Sequence, residues 1–239
     1  MIARGGKQVY GAQVGILCLD TRFPRIPGDL ANAETWPFPV LFRNIKGADP
    51  DRIVRQRGQG MLEPFIEGAR GLVDQGAEVI TTSCGFLSLF QEELKAGVGV
   101  PVATSSLMQV PMVQALLPPG KRVGVLTISA PSLTAEHLAC AGCPADTPVI
   151  GTEGGTEFTR AIIGDELEMD IAKCEADLID AARELVARHG DVGAIVMECT
   201  NMPPFQAAVQ RAVGMPVFSI VDYVIWMARS VRPQKWELP

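Results

Sequence analysis

CGFLSLFQEELKAGVGVPV (84–102) and CTNMPPFQAAVQRAVGMPV (199–217) align without a gap over 19 residues and share seven identities. Cys84 and Phe90 are 6 apart, as are Cys199 and Phe205; Cys84 and Pro101 are 17 apart, as are Cys199 and Pro216. Matched spacing of this kind marks one structural unit used twice. The two cysteines therefore hold equivalent positions. A second pair, QVGILCLDT (13–21) and RVGVLTISA (122–130), sets Asp20 opposite Ser129. Its offset is 109 against 115 for the cysteines, so the halves differ by six residues of loop.

The surrounding pattern gives the fold class. Short apolar, β-branched runs at 14–19, 77–82, 101–104, 122–128, 193–197 and 216–220 alternate with helix-period segments at 58–75, 86–96, 105–117, 131–141, 168–189, 203–213 and 221–231. Strand, helix, strand in repetition predicts an α/β protein with parallel sheets covered by helices on both faces. The repeat divides it into two pseudo-symmetric, three-layer αβα lobes, over 1–117 and 118–239, with C-terminal residues free to return to the first. Each cysteine then lies at the C-terminal end of a parallel strand, where open α/β sheets bind ligands. Facing lobes would bring both to one cleft.

Composition narrows the partners. The chain has 239 residues, 47% of them hydrophobic and 20% charged, with a formal charge of −6. No basic patch is available to neutralise phosphates, which argues against nucleic acid. No segment reads as a signal peptide or reaches transmembrane length, so the expectation is a cytoplasmic protein with no membrane partner. Six irregularly spaced cysteines do not form a secreted disulfide pattern, and two histidines, His137 and His189, are too few for a histidine-rich metal site. There is no dinucleotide glycine fingerprint, and TEGGTEFTR (152–160) lacks the lysine of a phosphate loop. The expectation is that no cofactor and no metal is used. Self-association is left open.

Two thiols facing one carbon have a specific use. A helix start beside each cysteine favours the thiolate and supplies N–H groups for a substrate carboxylate, and Pro203 and Pro204 suit a first helical turn. One thiol would take the proton from a carbon acid and the other return a proton to the opposite face, inverting the centre. Ser83, Gly85 and Phe86 beside Cys84, Thr200 and Asn201 beside Cys199, and Asp20, Thr21, Thr127 and Ser129 at the ends of the repeated first strands form the candidate substrate-contacting set. Asp20 could orient a thiol or meet a substrate amine. Arg22 and Arg25, in the long Pro- and Gly-rich loop 21–39, are candidate carboxylate clamps under a lid. Glu198, at the strand end before Cys199, could tune that thiol, but strand alternation points it to the opposite face, where a structural salt bridge is the expectation. Cys140 and Cys143 form a C-x-x-C that nothing completes, and Cys18 and Cys174 need no role.

LDTRFPRIPGD (19–29), TTSCGFL (81–87), GVLTISA (124–130) and MECTNMPP (197–204) together resemble the aspartate/glutamate racemase superfamily, which includes hydantoin racemases, maleate isomerases and arylmalonate decarboxylases. The resemblance implies two α/β lobes, a site between them, Cys84 and Cys199 as the acid–base pair, and a small carboxylate-bearing substrate. It also matches Asp20 and Thr21 to the acidic and hydroxyl pair after the first strand and Thr200 to the threonine after the second cysteine. Gly85 and Phe86 stand where the amino-acid racemases carry asparagine and threonine, and Asn201 where they carry histidine, which weighs against free aspartate or glutamate. Decarboxylases of this architecture keep one of the two cysteines, so the presence of both favours racemisation or isomerisation. Addition of one thiol to a double bond, as in maleate isomerases, another carbon-acid reaction on a small diacid, and a silent small-acid binding protein remain the alternatives.

Overall fold

The computed structural model describes residues 2–236. Two four-stranded parallel sheets form in succession, with the same internal order. The first runs β2 (Val40–Ile45), β1 (Val14–Leu19), β3 (Val79–Thr82), β4 (Val102–Ala103); the second runs β6 (Val149–Gly151), β5 (Arg122–Thr127), β7 (Val192–Met197), β8 (Val217–Phe218). Each half thus repeats one topology, with β1 matching β5 and β3 matching β7. The central strand β1 is buried along its whole length, as a parallel strand covered on both faces must be.

Both faces of β1 can be named. Leu17 and Leu19 pack with Leu72 and Ile80 in the main core, on the side of α1 (Leu62–Gln75). Val14, Ile16 and Cys18 point the other way, onto Ile220, Val224 and Ala228 of α8 (Ile220–Val231). Met227 of α8 also packs with Val79 and Ala103. The last helix therefore leaves the second sheet and closes the open face of the first. The second sheet is covered chiefly by α6 (Ile171–Arg188), whose buried face is Cys174, Leu178, Ala181, Ala182 and Leu185.

Helices α3 (Val110–Gln114) and α4 (Ala135–Cys140) fall within expected helical segments, whereas strands β2 and β6 and the helix α5 (Phe158–Ile163) go beyond the elements expected from sequence. β2 is an edge strand whose residues 42–44 face solvent, so it lacks the apolar run of a central strand. β6 has three residues. The segments after each cysteine begin as tight 3-10 turns, Gly85–Phe90 and Pro203–Phe205, before α2 (Gln91–Gly97) and α7 (Gln206–Val213). Loop 21–39 is packed rather than raised: Phe23, Leu30 and Trp36 are buried. It bridges the lobes, because Asp165 accepts from the Arg22 and Phe23 backbone N–H groups at 2.6 and 3.1 Å. Gly28, at φ +98°, lies against the Pro204 backbone, where a Cβ would come within 2.9 Å of its Cα. Only glycine meets both demands there.

Polar contacts hold the two strand ends together. The Thr200 hydroxyl donates to the Ser83 carbonyl at 2.6 Å, and the Leu30 N–H donates to the Thr200 carbonyl at 3.3 Å. The Ser106 hydroxyl donates to the Met197 carbonyl at 2.5 Å, with the Glu198 carbonyl at 3.2 Å. All these groups are buried, so each bond lost leaves an unsatisfied partner. Ser106→Ala is expected to destabilise the protein by about 1–3 kcal/mol. Urea unfolding should show a lower midpoint with an unchanged slope.

Candidate active site

Cys84 follows β3 by two residues and Cys199 follows β7 by two, so the duplicated topology brings both to the seam between the sheets. They line one small pocket together with Ser83, Gly85, Phe86, Glu198, Thr200 and Asn201. Leu19, Phe23, Pro50, Val54, Ile128, Ile162 and Ile163 supply apolar walls, and Arg25 is the cation among the lining residues. Its guanidinium lies 4.2 Å from the centre of the Phe23 ring.

Of the residues singled out in the sequence, Asp20 and Ser129 are not brought to the pocket. Asp20 is exposed at the end of β1 and accepts from the Gly47 N–H; Ser129 donates its hydroxyl to that of Ser132. Thr21 acts at one remove, accepting from Arg25 Nη2 at 2.9 Å, and Thr127 touches Glu198 rather than the open space. Arg22 is exposed and pairs with Asp165. Arg25 is the loop arginine that reaches the site. Cys140 and Cys143 are free thiols, and Cys143 donates to the Leu107 carbonyl at 3.5 Å.

Asp29 is a site residue that periodicity and motif do not reveal. It is 2% exposed, and it joins the lobes: Asn201 Nδ2 donates to its Oδ2 at 2.6 Å, while Arg25 Nη1 donates to its Oδ1 at 3.0 Å. The Cys199 thiol in turn donates to Asn201 Oδ1 at 3.4 Å. A continuous chain of donors and acceptors therefore runs Cys199, Asn201, Asp29, Arg25, Thr21. The one available signal was the PGD turn within a loop already assigned to the cleft.

Glu198 departs from the orientation that alternation predicts. Alternation holds only along the strand, and β7 stops at Met197; beyond it Glu198 turns toward the pocket, wholly buried and without a salt bridge among the described residues. Its Oε2 accepts from the Thr127 hydroxyl at 2.7 Å, and its Oε1 has no hydrogen-bond partner among the described residues. Burial raises its pKa to about 7, with the Thr127 bond pulling the other way.

The expectation of an acidic thiol also fails for the site as it stands. Burial, and then the Glu198 charge, push the Cys84 thiol up to about 12; the Phe86 backbone N–H and Arg25 oppose this. The same two causes hold Cys199 well above the usual thiol range, with the Asn201 backbone N–H in opposition. The opposing N–H comes from the second residue after the cysteine in both halves, another trace of the repeat. It does not offset desolvation. A short 3-10 turn aligns few peptide dipoles, so the helix end contributes less than a full helix would.

Known proteins share parts of this pattern. A model of the Asp/Glu/hydantoin racemase family matches residues 106–228, just over half of the chain. A dimethylsulfoniopropionate lyase of Durusdinium sp. clade D is 28% identical over 218 residues, covering 88% of this chain and 72% of that protein. The chain spans 64% and 57% of two dimethylsulfoniopropionate lyases of Emiliania huxleyi that it matches at 28% identity. Among solved structures, a sulfate-associated mutant of arylmalonate decarboxylase superposes with a TM-score of 0.63 at 18% identity, over 95% of this chain and 97% of that one. Glutamate racemase isoform RacE1 of Bacillus anthracis gives 0.61 at 13% identity, over 93% and 83%. At such identities the structural likenesses establish the fold: two parallel α/β lobes.

The buried Glu198 carboxyl has a consequence for stability. It holds a proton up to about pH 7 when folded, against a reference of 4.5. Between those values the folded protein binds more protons than the unfolded chain, so this group's contribution is full below the lower value and is lost as pH rises through the upper one. Glu198→Gln should remove that loss. The difference in unfolding free energy between variant and parent should shift in the variant's favour from pH 4.5 to above 7; a constant difference would contradict the burial argument.

Proposed function

The chain belongs to the Asp/Glu/hydantoin racemase family, and from that premise we propose a carbon-acid enzyme that removes the proton α to a substrate carboxylate and expels a leaving group from the β carbon. The observation that carries this reading is the convergence of Cys84 and Cys199 on one small, mostly apolar pocket that has Arg25 in its wall. A carbon acid needs a base at the α proton and positive charge or N–H donors where negative charge grows on the carboxylate. Both are supplied by the chain's own groups.

The relatives indicate which leaving group to test first. In dimethylsulfoniopropionate the β carbon carries a dimethylsulfonium group. A thiolate takes the α proton, the electron pair left behind becomes the carbon–carbon double bond, and the β carbon–sulfur bond breaks with its pair on sulfur. Acrylate and neutral dimethyl sulfide leave, and the thiol releases its proton to water. No acid is required at the leaving group, because it departs uncharged. Apolar walls with two aromatic rings, Phe23 and Phe86, suit methyl groups on a soft cation better than the second carboxylate and ammonium of a dicarboxylic amino acid.

A second reading uses the same site. Two thiols at equivalent strand ends suit proton removal on one face and delivery on the other, which is racemisation of a 2-substituted acid. The readings differ in what the second thiol must do. Elimination needs one base; inversion needs both sulfurs.

Incubation with dimethylsulfoniopropionate should release dimethyl sulfide and acrylate in equal amounts, followed by headspace gas chromatography and proton NMR. One of Cys84→Ala and Cys199→Ala should lower kcat by about 10²–10⁴-fold, with the other retaining measurable turnover. If no sulfide appears, and a chiral 2-substituted acid takes up solvent deuterium with inversion that either variant abolishes, the racemase reading replaces the lyase. Saturable binding with neither product nor exchange would reject both.

A further inference from the structure

Thiols held this far from ionisation need a proton acceptor, and the pocket contains one. Glu198 is the second wholly enclosed group beside each cysteine: it lines the same pocket, and it raises the cost of ionising both. Its two oxygens differ. Oε2 is tied to Thr127, whereas Oε1 has no hydrogen-bond partner among the described residues and lies against Gly85, the residue after Cys84. A Cβ at position 85 would fall on Oε1, so glycine here keeps room for that oxygen. A buried carboxylate oxygen left without a partner is costly. It lines the same pocket as the two thiols, neither of which donates to it in this structure.

We propose that Glu198 is a third acid–base group of this site, its free oxygen Oε1 taking the thiol proton of Cys84 so that a thiolate forms beside a neutral carboxylic acid. The S–H bond breaks, the pair stays on sulfur, and the proton becomes the O–H of Glu198; net charge in the pocket is unchanged. That conservation is the physical advantage. Ionising a thiol next to an ionised carboxylate would bury two like charges, whereas internal transfer buries one throughout. The α proton of the substrate then goes to the thiolate, and one proton per turnover leaves to water.

The inference rests on the reading of the cysteines as the acid–base pair, but its test does not need substrate. The other titratable groups of the pocket are Cys84, Cys199 and Arg25, with Asp29 one hydrogen bond behind Arg25. Reaction of Cys84 with iodoacetamide, followed by peptide mass spectrometry from about pH 5 to 11, reads its thiolate fraction. In the parent protein the rate should rise with pH, bend to a shoulder near pH 7, where Glu198 becomes able to accept, and climb again only as the thiol's own ionisation, near 12, is approached. Glu198→Gln should remove the shoulder, leaving a roughly tenfold rise per pH unit until the thiol itself titrates. Thr127→Val, which takes away the bond that stabilises the carboxylate, should move the shoulder to higher pH while keeping it. If sulfide release is found, Glu198→Gln should lower kcat by about 10²–10³-fold.

A parent profile with no shoulder overturns the proposal, as does a shoulder that survives in Glu198→Gln. Circular dichroism and urea unfolding separate loss of the fold from loss of the acceptor. Should the Gln variant unfold, Thr127→Val decides independently, because a shoulder that stays at the parent's pH in that variant rules out Glu198 as the acceptor. Failure of the lyase assay with an intact shoulder would reject the substrate and leave the proton acceptor standing.

Discussion

The bond from the Thr200 hydroxyl to the Ser83 carbonyl, 2.6 Å long and buried, is the contact on which the site depends. It ties the residue after one cysteine to the residue before the other. Parallel strands end with carbonyls and side chains that need partners, and here two sheets end at one seam. Each satisfies the other: Thr200 with Ser83, Leu30 with Thr200, Ser106 with the carbonyls of Met197 and Glu198. The register of these bonds sets where the sulfurs face. A shift of one residue at either strand end would turn a cysteine out of the pocket and strand several polar groups in the core.

The seam is therefore polar in its bonds and apolar in its walls, and this combination explains the electrostatics. Removing water strengthens every charge–charge interaction in the pocket and penalises every isolated charge. Arg25 is not isolated, since Asp29, Thr21 and the Phe23 ring meet it. The thiols and Glu198 have hydrogen-bond partners but no ion pair among the described residues, and burial pushes both cysteines and the carboxyl toward their neutral forms. In a pocket of that kind chemistry by proton transfer between neighbours costs less than chemistry that creates a new charge.

Much of this was legible in the sequence because the repeat is covalent information. The 19-residue self-alignment placed Cys84 and Cys199 at equivalent strand ends, and the matching orders β2-β1-β3-β4 and β6-β5-β7-β8 express the same duplication. Central strands announced themselves through continuous apolar runs. β2 did not, since half its residues face solvent, nor did β6, with three residues. Asp29 and Glu198 were harder for a different reason. Their roles arise from partners far away in the chain, Asn201 for one and Thr127 for the other. Periodicity assigned Glu198 to the wrong face because it was applied one residue past the end of the strand. The helix-end argument for acidic thiols failed by magnitude: two residues after each cysteine one N–H pulls the thiol down, but burial outweighs it.

Duplication also explains why the two halves of the site are alike without being interchangeable. Both cysteines have an N–H donor two residues on, yet only Cys199 also donates to a side-chain oxygen, Asn201 Oδ1, and through it joins the chain to Asp29 and Arg25. Cys84 instead precedes Gly85, the residue that leaves space for the Glu198 carboxylate. One sulfur is thus coupled to a network that ends in a cation, the other to an acid with a free oxygen. The two sulfurs therefore stand in different surroundings, one bonded to Asn201 and the other beside the glycine that faces Glu198.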